Sequence, residues 1–181
     1  MIRDFVRDKA KTLPADDNAA SVTAVRVWHC NYATLKDLSR YTNVRTLVVA
    51  TYPDADLDPI AALSRLEYLH LVHLPKVVDL TPLIHLQQLR ILRLETLPGW
   101  DGAGKVTTVK SLEPLARLAR LTHLELFGIR PANKSLSDLE SAPRLTSVRV
   151  SKYPKRETTR FYTQTSINDS LPPRPDVADW H

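Results

Sequence analysis

The sequence predicts an α/β repeat fold in which each unit is a short strand followed by a helical turn. Three observations carry this. One pattern, apolar-x-x-apolar-x-apolar, recurs six times: Val22-Val25-Val27, Val44-Leu47-Val49, Leu66-Leu69-Leu71, Leu89-Leu92-Leu94, Leu121-Leu124-Leu126 and Leu145-Val148-Val150. Its middle residues step along the chain by 22, 22, 23, 32 and 24 positions. Within each copy the last two apolar residues are two apart, so they share one face of an extended segment. Between copies, Asp56-Leu57-Asp58-Pro59-Ile60 with Leu63, Asp79-Leu80-Thr81-Pro82-Leu83 with Leu86, and Ser111-Leu112-Glu113-Pro114-Leu115 with Leu118 set apolar residues three apart. That spacing suits a helical turn or a short 3₁₀ segment, and proline is tolerated near the start of such a turn. One unit cannot bury its apolar face alone, so the copies must stack into a continuous core.

The segments outside the repeats read as caps, which a stack needs because its end units would otherwise expose core. In residues 1–21, Ile2, Phe5, Val6 and Ala10 sit at helical spacing, and a short amphipathic cap is expected there. Residues 22–153 hold the six repeats. Residues 154–181 follow the last strand; Pro172, Pro173 and Pro175 argue against a regular element, so a cap grading into a mobile tail is expected. The 32-residue step comes from a glycine-rich loop at about residues 98–109.

Composition narrows the class. Hydrophobic residues make up 43% and charged residues 25% of the chain, ample for a core and ordinary for a globular protein. A single cysteine allows no internal disulfide, and no Cys/His zinc spacing occurs. The N-terminus, Met1-Ile2-Arg3-Asp4-Phe5-Val6-Arg7-Asp8, carries charge where a signal peptide needs an apolar run. No stretch reaches membrane-spanning length. These features together point to a reducing cytosol. The net charge of +5 and pI near 9.4 are a mild basic bias, and without a recognition helix, zinc finger or aromatic-basic RNA motif they do not make a nucleic-acid binder.

With these residues in view, the chain resembles the leucine-rich-repeat family, in the short 22-residue class also seen in bacterial internalins and in a phosphatase-regulating family. The resemblance covers about residues 22–153. It implies a right-handed solenoid with a parallel sheet on the concave side and short 3₁₀ or helical turns on the convex side. One departure stands out. The family places asparagine three residues after the strand's last leucine, but here that site holds Cys30, Tyr52, Leu74, Leu97, Ile129 and Tyr153. Proline follows directly in four copies, as Pro53, Pro75, Pro98 and Pro154, and one residue later, as Pro131, in a fifth. The corner is therefore expected to be apolar-then-proline, with one fewer N–H to satisfy.

The resemblance also implies which side chains meet a partner. Arg26, Arg45, Arg90, Arg93 and Arg149 fall between the leucines on the concave face, with Trp28, Tyr68 and Phe127, the histidines His70 and His123, and the acids Glu95 and Glu125. Counting Lys152 and Glu67, six basic residues face three acidic ones, so a net positive face suited to an acidic partner is expected. Large aromatics and arginines are typical of interface hot spots, although sheets favour aromatic and β-branched residues in any case. Trp100, at the tip of the 98–109 loop, is a further contact candidate that could instead fold back on the solenoid. Replacing Trp28, Tyr68 and Arg93 together by alanine is expected to abolish binding without unfolding the chain.

Chemistry finds little footing. His70 and His123 lie two strands apart, about 10 Å, too far for one metal ion. Gly99-x4-Gly104-Lys105 imitates a phosphate loop, but Val106 stands where the motif needs Ser or Thr, and Val106-Thr107-Thr108-Val109 favours extended chain over the helix required next. Cys30 falls where the family buries an apolar side chain, so an inert thiol is expected. No Gly-x-Ser-x-Gly elbow is present. The sequence thus predicts a non-catalytic, cofactor-free and metal-free protein-binding module, monomeric when free, off the membrane and in the cytoplasm. A bacterial immunity protein or inhibitor neutralising a cognate toxin is the first specific reading. The alternative is an adaptor or regulatory subunit of a cytosolic enzyme such as a phosphatase.

Overall fold

A computed structural model describes residues 1–175, 177 and 180. Among these residues nine strands run in chain order: β1 (Ile2–Val6), β2 (Ala24–Trp28), β3 (Thr46–Ala50), β4 (Tyr68–Val72), β5 (Ile91–Glu95), β6 (Thr107–Val109), β7 (His123–Phe127), β8 (Ile129–Pro131) and β9 (Ser147–Val150). Seven form one parallel sheet in the order β1-β2-β3-β4-β5-β7-β9, while β6 and β8 pair in parallel beside it. Four short helices, α1 (Asp58–Ala61), α2 (Pro98–Gly102), α3 (Glu113–Ala116) and α4 (Lys155–Gln164), alternate with 3₁₀ turns. All six expected strands are present, and Pro59, Pro82 and Pro114 open their turns as expected.

The core is the stacked leucine ladder. Val25, Leu47, Leu69, Leu92, Leu124 and Val148 are neighbours in adjacent strands, and none is more than 1% exposed. Fully burying each side chain is worth roughly 1.5–3 kcal/mol, most of it offset by chain entropy.

Six of the seven strands of the main sheet are followed by a residue in the left-handed region, Arg7, His29, Thr51, His73, Gly128 and Lys152, with φ between 51° and 70°; β5 is the exception. Four of the N–H groups at this position, those of Arg7, His29, Thr51 and His73, make the last rung to the neighbouring strand. The chain then turns, and the apolar corner residue drops toward the core. Tyr52, Leu74 and Ile129 are buried there, whereas Cys30 and Tyr153 are half-buried against it. Cys30 Sγ donates to the Phe5 carbonyl at 3.3 Å.

Carboxylates bond the turn backbone of neighbouring repeats. Asp54 accepts from Leu35 N–H at 2.9 Å, Asp138 from Leu112 N–H at 3.0 Å and Glu157 from Leu136 N–H at 2.7 Å. In each case an acid of one repeat satisfies the turn of the preceding one. These three turns and the two at Asp58 and Thr81 are opened locally by Thr34, Asp56, Asp79, Ser111 and Ser135, each bonding the N–H two residues on. These positions keep the leucine period, so the signal was in the sequence.

Both ends depart from expectation. Residues 2–6 form a strand, not a helix. The spacing of Ile2, Phe5 and Val6 fits either element, and the open edge of β2 decides it: pairing in register from Ile2–Ala24 to Val6–Trp28 satisfies that edge. At the other end α4 forms a ten-residue helical cap with Phe161 buried, because the prolines fall beyond it.

Ion pairs clasp both caps. Arg3 bonds Asp16 through two contacts of 2.7 and 2.9 Å, and Arg160 bridges Glu157 and Glu140. Arg160 holds the Glu157 carboxyl down at about 2, and Arg3 does the same for Asp16, also at about 2. Because the folded values lie below the unfolded ones, this stabilisation is present above about pH 4.5 and is lost as pH falls toward 2. Asp16→Asn with Glu157→Gln is expected to flatten the melting-temperature profile between pH 5 and pH 2, measured by circular dichroism. A profile as steep as that of the native chain would show that other groups drive acid unfolding.

Candidate functional site

The concave face is a grid fixed by strand register. Its middle row runs Asp4, Arg26, Val48, His70, Arg93, Glu125, Arg149 across seven strands. Alternation along each strand places Ala24 and Trp28, Thr46 and Ala50, Tyr68 and Val72, Ile91 and Glu95, and His123 and Phe127 on the same face.

Register brings the charges into contact. Arg26 is held by Asp4 through bonds of 2.8 and 2.6 Å. Arg93 bonds Glu95 at 2.8 Å and lies 3.4 Å from Glu125, while Arg149 bonds Glu125 at 3.0 Å. His70 Nε2 stands 3.1 Å from Glu95, and Arg45 pairs with Glu67 at 3.4 Å. Burial works against the Glu95 charge, but His70 and Arg93 outweigh it and leave the carboxyl below its ordinary range. Burial lowers His73 and His123 below the usual histidine value, with His29 and Arg90 respectively adding to the effect.

This changes the expected face in three ways. The positive surplus along the middle row is answered within the sheet, partly by Asp4, which the six-repeat reading left out. His70 and Glu125, expected as exposed contacts, are buried at 4% and 1% exposure and belong to the sheet's own ion pairs. Arg93 is committed to two carboxylates, so it serves the fold and is no neutral target for alanine. Arg45 and Arg90 remain exposed, and Arg149 stacks 5.3 Å from the Phe127 ring.

Trp100 does not project from a loop tip. It lies in α2, half-buried, edge-on to His73 with ring centroids 4.8 Å apart, and Lys105 sits 5.6 Å from its ring. The 98–109 insertion returns as β6, in keeping with its extended-chain preference.

No residue pattern signals what covers the face. The tail, expected to be mobile, returns along the sheet. Asn168 bridges Ser147, and the Ser170 carbonyl accepts from Ser147 Oγ at 2.6 Å. Val177 and Trp180 then pack against Ala24, Val48 and Tyr68, leaving Trp180 5% and Tyr68 5% exposed. The rest of the tail's end, residues 176, 178, 179 and 181, lies outside the described residues. A tryptophan buries about 150–250 Å², a gain of roughly 4–6 kcal/mol at about 25 cal/mol per Å².

Among the described residues no group of three His, Cys, Asp or Glu side chains could hold a metal ion, and no helix is long and apolar enough to cross a membrane.

The parallel sheet, the stacked leucines and the convex 3₁₀ turns define a leucine-rich-repeat solenoid. Solved structures of the same fold include internalin C2 of Listeria monocytogenes, 22% identical with a TM-score of 0.56, over 74% of this chain and 54% of that one. The internalin inlF of the same organism matches at 17% identity and a TM-score of 0.54, over 88% and 54%. The chain thus spans about half the length of these structures. Neither a family model nor a curated protein matches the sequence.

Proposed function

We propose that this chain is a non-catalytic protein-binding module that engages its partner on the concave face. The observation that carries this is the apolar hollow formed by Ala24, Val48 and Tyr68 with Trp28 and Ile91 at its margin, which the side chain of Trp180 covers. Large apolar and aromatic groups gathered on a sheet face outside the main core suit a binding surface. Arg45 and Arg90 beside it suit acidic groups at the partner's rim. Because the middle row is answered internally, the partner's overall surface need not be acidic.

The finer reading is a cytoplasmic inhibitor dedicated to one target, such as an immunity protein that neutralises a cognate toxin. Its support is a face whose charges are pre-set by ion pairs, since rigid surfaces bind with less ordering cost. An adaptor or regulatory subunit is the alternative. Affinity purification with mass spectrometry tests the reading. One partner retained at nanomolar affinity, together with growth rescue against it, fits an inhibitor. Weak binding to several proteins without rescue fits an adaptor, and no partner at all would overturn protein binding.

A further inference from the structure

The solenoid core is complete without the last residues of the chain. Its final members are Phe161 and the partly buried Ile167, and nothing described beyond them joins it. Val177 and Trp180 belong to a separate cluster on the concave face.

The seat for Trp180 comes from a step in side-chain size. Ala24, Thr46 and Tyr68 are register partners, as are Trp28, Ala50 and Val72. Small residues on β2 and β3 therefore lie between the larger Trp28 and Tyr68 and leave the hollow that Trp180 occupies. Arg26, anchored by Asp4, brings its guanidinium 5.4 Å from the Trp180 ring. Upstream of the ring, Pro173, Arg174 and Pro175 face Arg45, Glu67 and Arg90 across a pocket of about 310 Å³. Proline holds φ near the extended, polyproline value, so such a segment loses little freedom on docking, as in proline-rich peptide recognition.

We infer that this hollow is a peptide-binding site, that the chain fills it in cis with Val177 and Trp180, led up to by Pro173 and Pro175, and that the partner displaces them. The displacing segment is extended, contains proline and carries one bulky aromatic side chain a few residues further on. The inference rests on the protein-binding reading and gives its site an occupant and a competitor.

A synthetic peptide of residues 171–181 is the probe, with fluorescence anisotropy as the readout. The full-length Trp180→Ala chain is expected to bind it. The native chain binds it about tenfold more weakly, because its own tail competes at a local concentration in the millimolar range. Adding Val48→Arg to the Trp180→Ala chain fills the seat and removes binding. Circular dichroism showing a native fold in each variant keeps the comparison sound. In the native chain, the indole N–H resonance lost in Trp180→Ala moves to its solvent-exposed position as the peptide is added in excess. This measurement needs no altered chain to bind the probe.

Absent binding to a folded Trp180→Ala chain, or equal binding to both chains, overturns the inference. A native dimer that dissociates on adding peptide also overturns it, since the tail would then sit on a second copy. A partner captured by affinity purification while the peptide fails sinks only the cis-ligand inference. A binding peptide with no partner captured sinks the broader reading.

Discussion

Arg93→Ala is expected to lower the unfolding free energy by about 3–5 kcal/mol, as for other broken buried ion pairs. Arg93 stands between Glu95 at 2.8 Å and Glu125 at 3.4 Å, and Glu125 is only 1% exposed. Removing the guanidinium strands a carboxylate in low dielectric with only Arg149 left to answer it. The loss should therefore exceed that of any exposed pair on the same face, such as Arg45–Glu67, where about 0–1 kcal/mol is expected. Urea unfolding of both variants measures the contrast. Arg93→Met combined with Glu125→Leu should cost less than Arg93→Ala alone, because no buried charge is left without a partner. A cost below about 1 kcal/mol for Arg93→Ala would mean that water reaches Glu125 readily.

Gly128→Ala is the second large effect. Gly128 has φ +70°, and a Cβ there would stand 2.3 Å from Thr96 Oγ1. The left-handed conformation costs a side-chain-bearing residue about 1–2 kcal/mol, and forcing extra atoms into packed surroundings adds about 1–3 kcal/mol. Other corners carry the first cost, at His29, Thr51 and His73, and none of them has glycine. The overlap with Thr96, itself only 6% exposed, explains why this corner does. A loss of about 2–4 kcal/mol is expected in thermal or urea unfolding, with partial recovery when Thr96→Ala is added. No recovery in the double variant would place the strain in the backbone alone.

Periodic features were legible in the sequence, and solitary ones were not. The leucine spacing located six strands because every copy reports the same burial, and the Pro59, Pro82 and Pro114 turns followed for the same reason. The charge pairing was legible in principle: once the leucines align, Arg93 and Glu125 must be register neighbours. A count of charges on the face misses this because it ignores which strand lies beside which. Strand β1 was hidden because three apolar residues fit two periods, and only the open edge of β2 chooses between them. The Trp180 contact had no local signal at all, since it joins residues more than a hundred positions apart and occurs once.

A solenoid ordinarily passes stability only between neighbouring repeats, so its two ends are mechanically independent. The returning tail alters this. It leaves the last strand at Asn168 and reaches the hollow on β2, β3 and β4, crossing up to five strand spacings, about 24 Å. It ties the last strand to the first repeats along the concave face. Movement of those strands relative to one another and the seating of one indole ring are therefore coupled. Whatever lifts the ring out leaves those strands free to move around what replaces it.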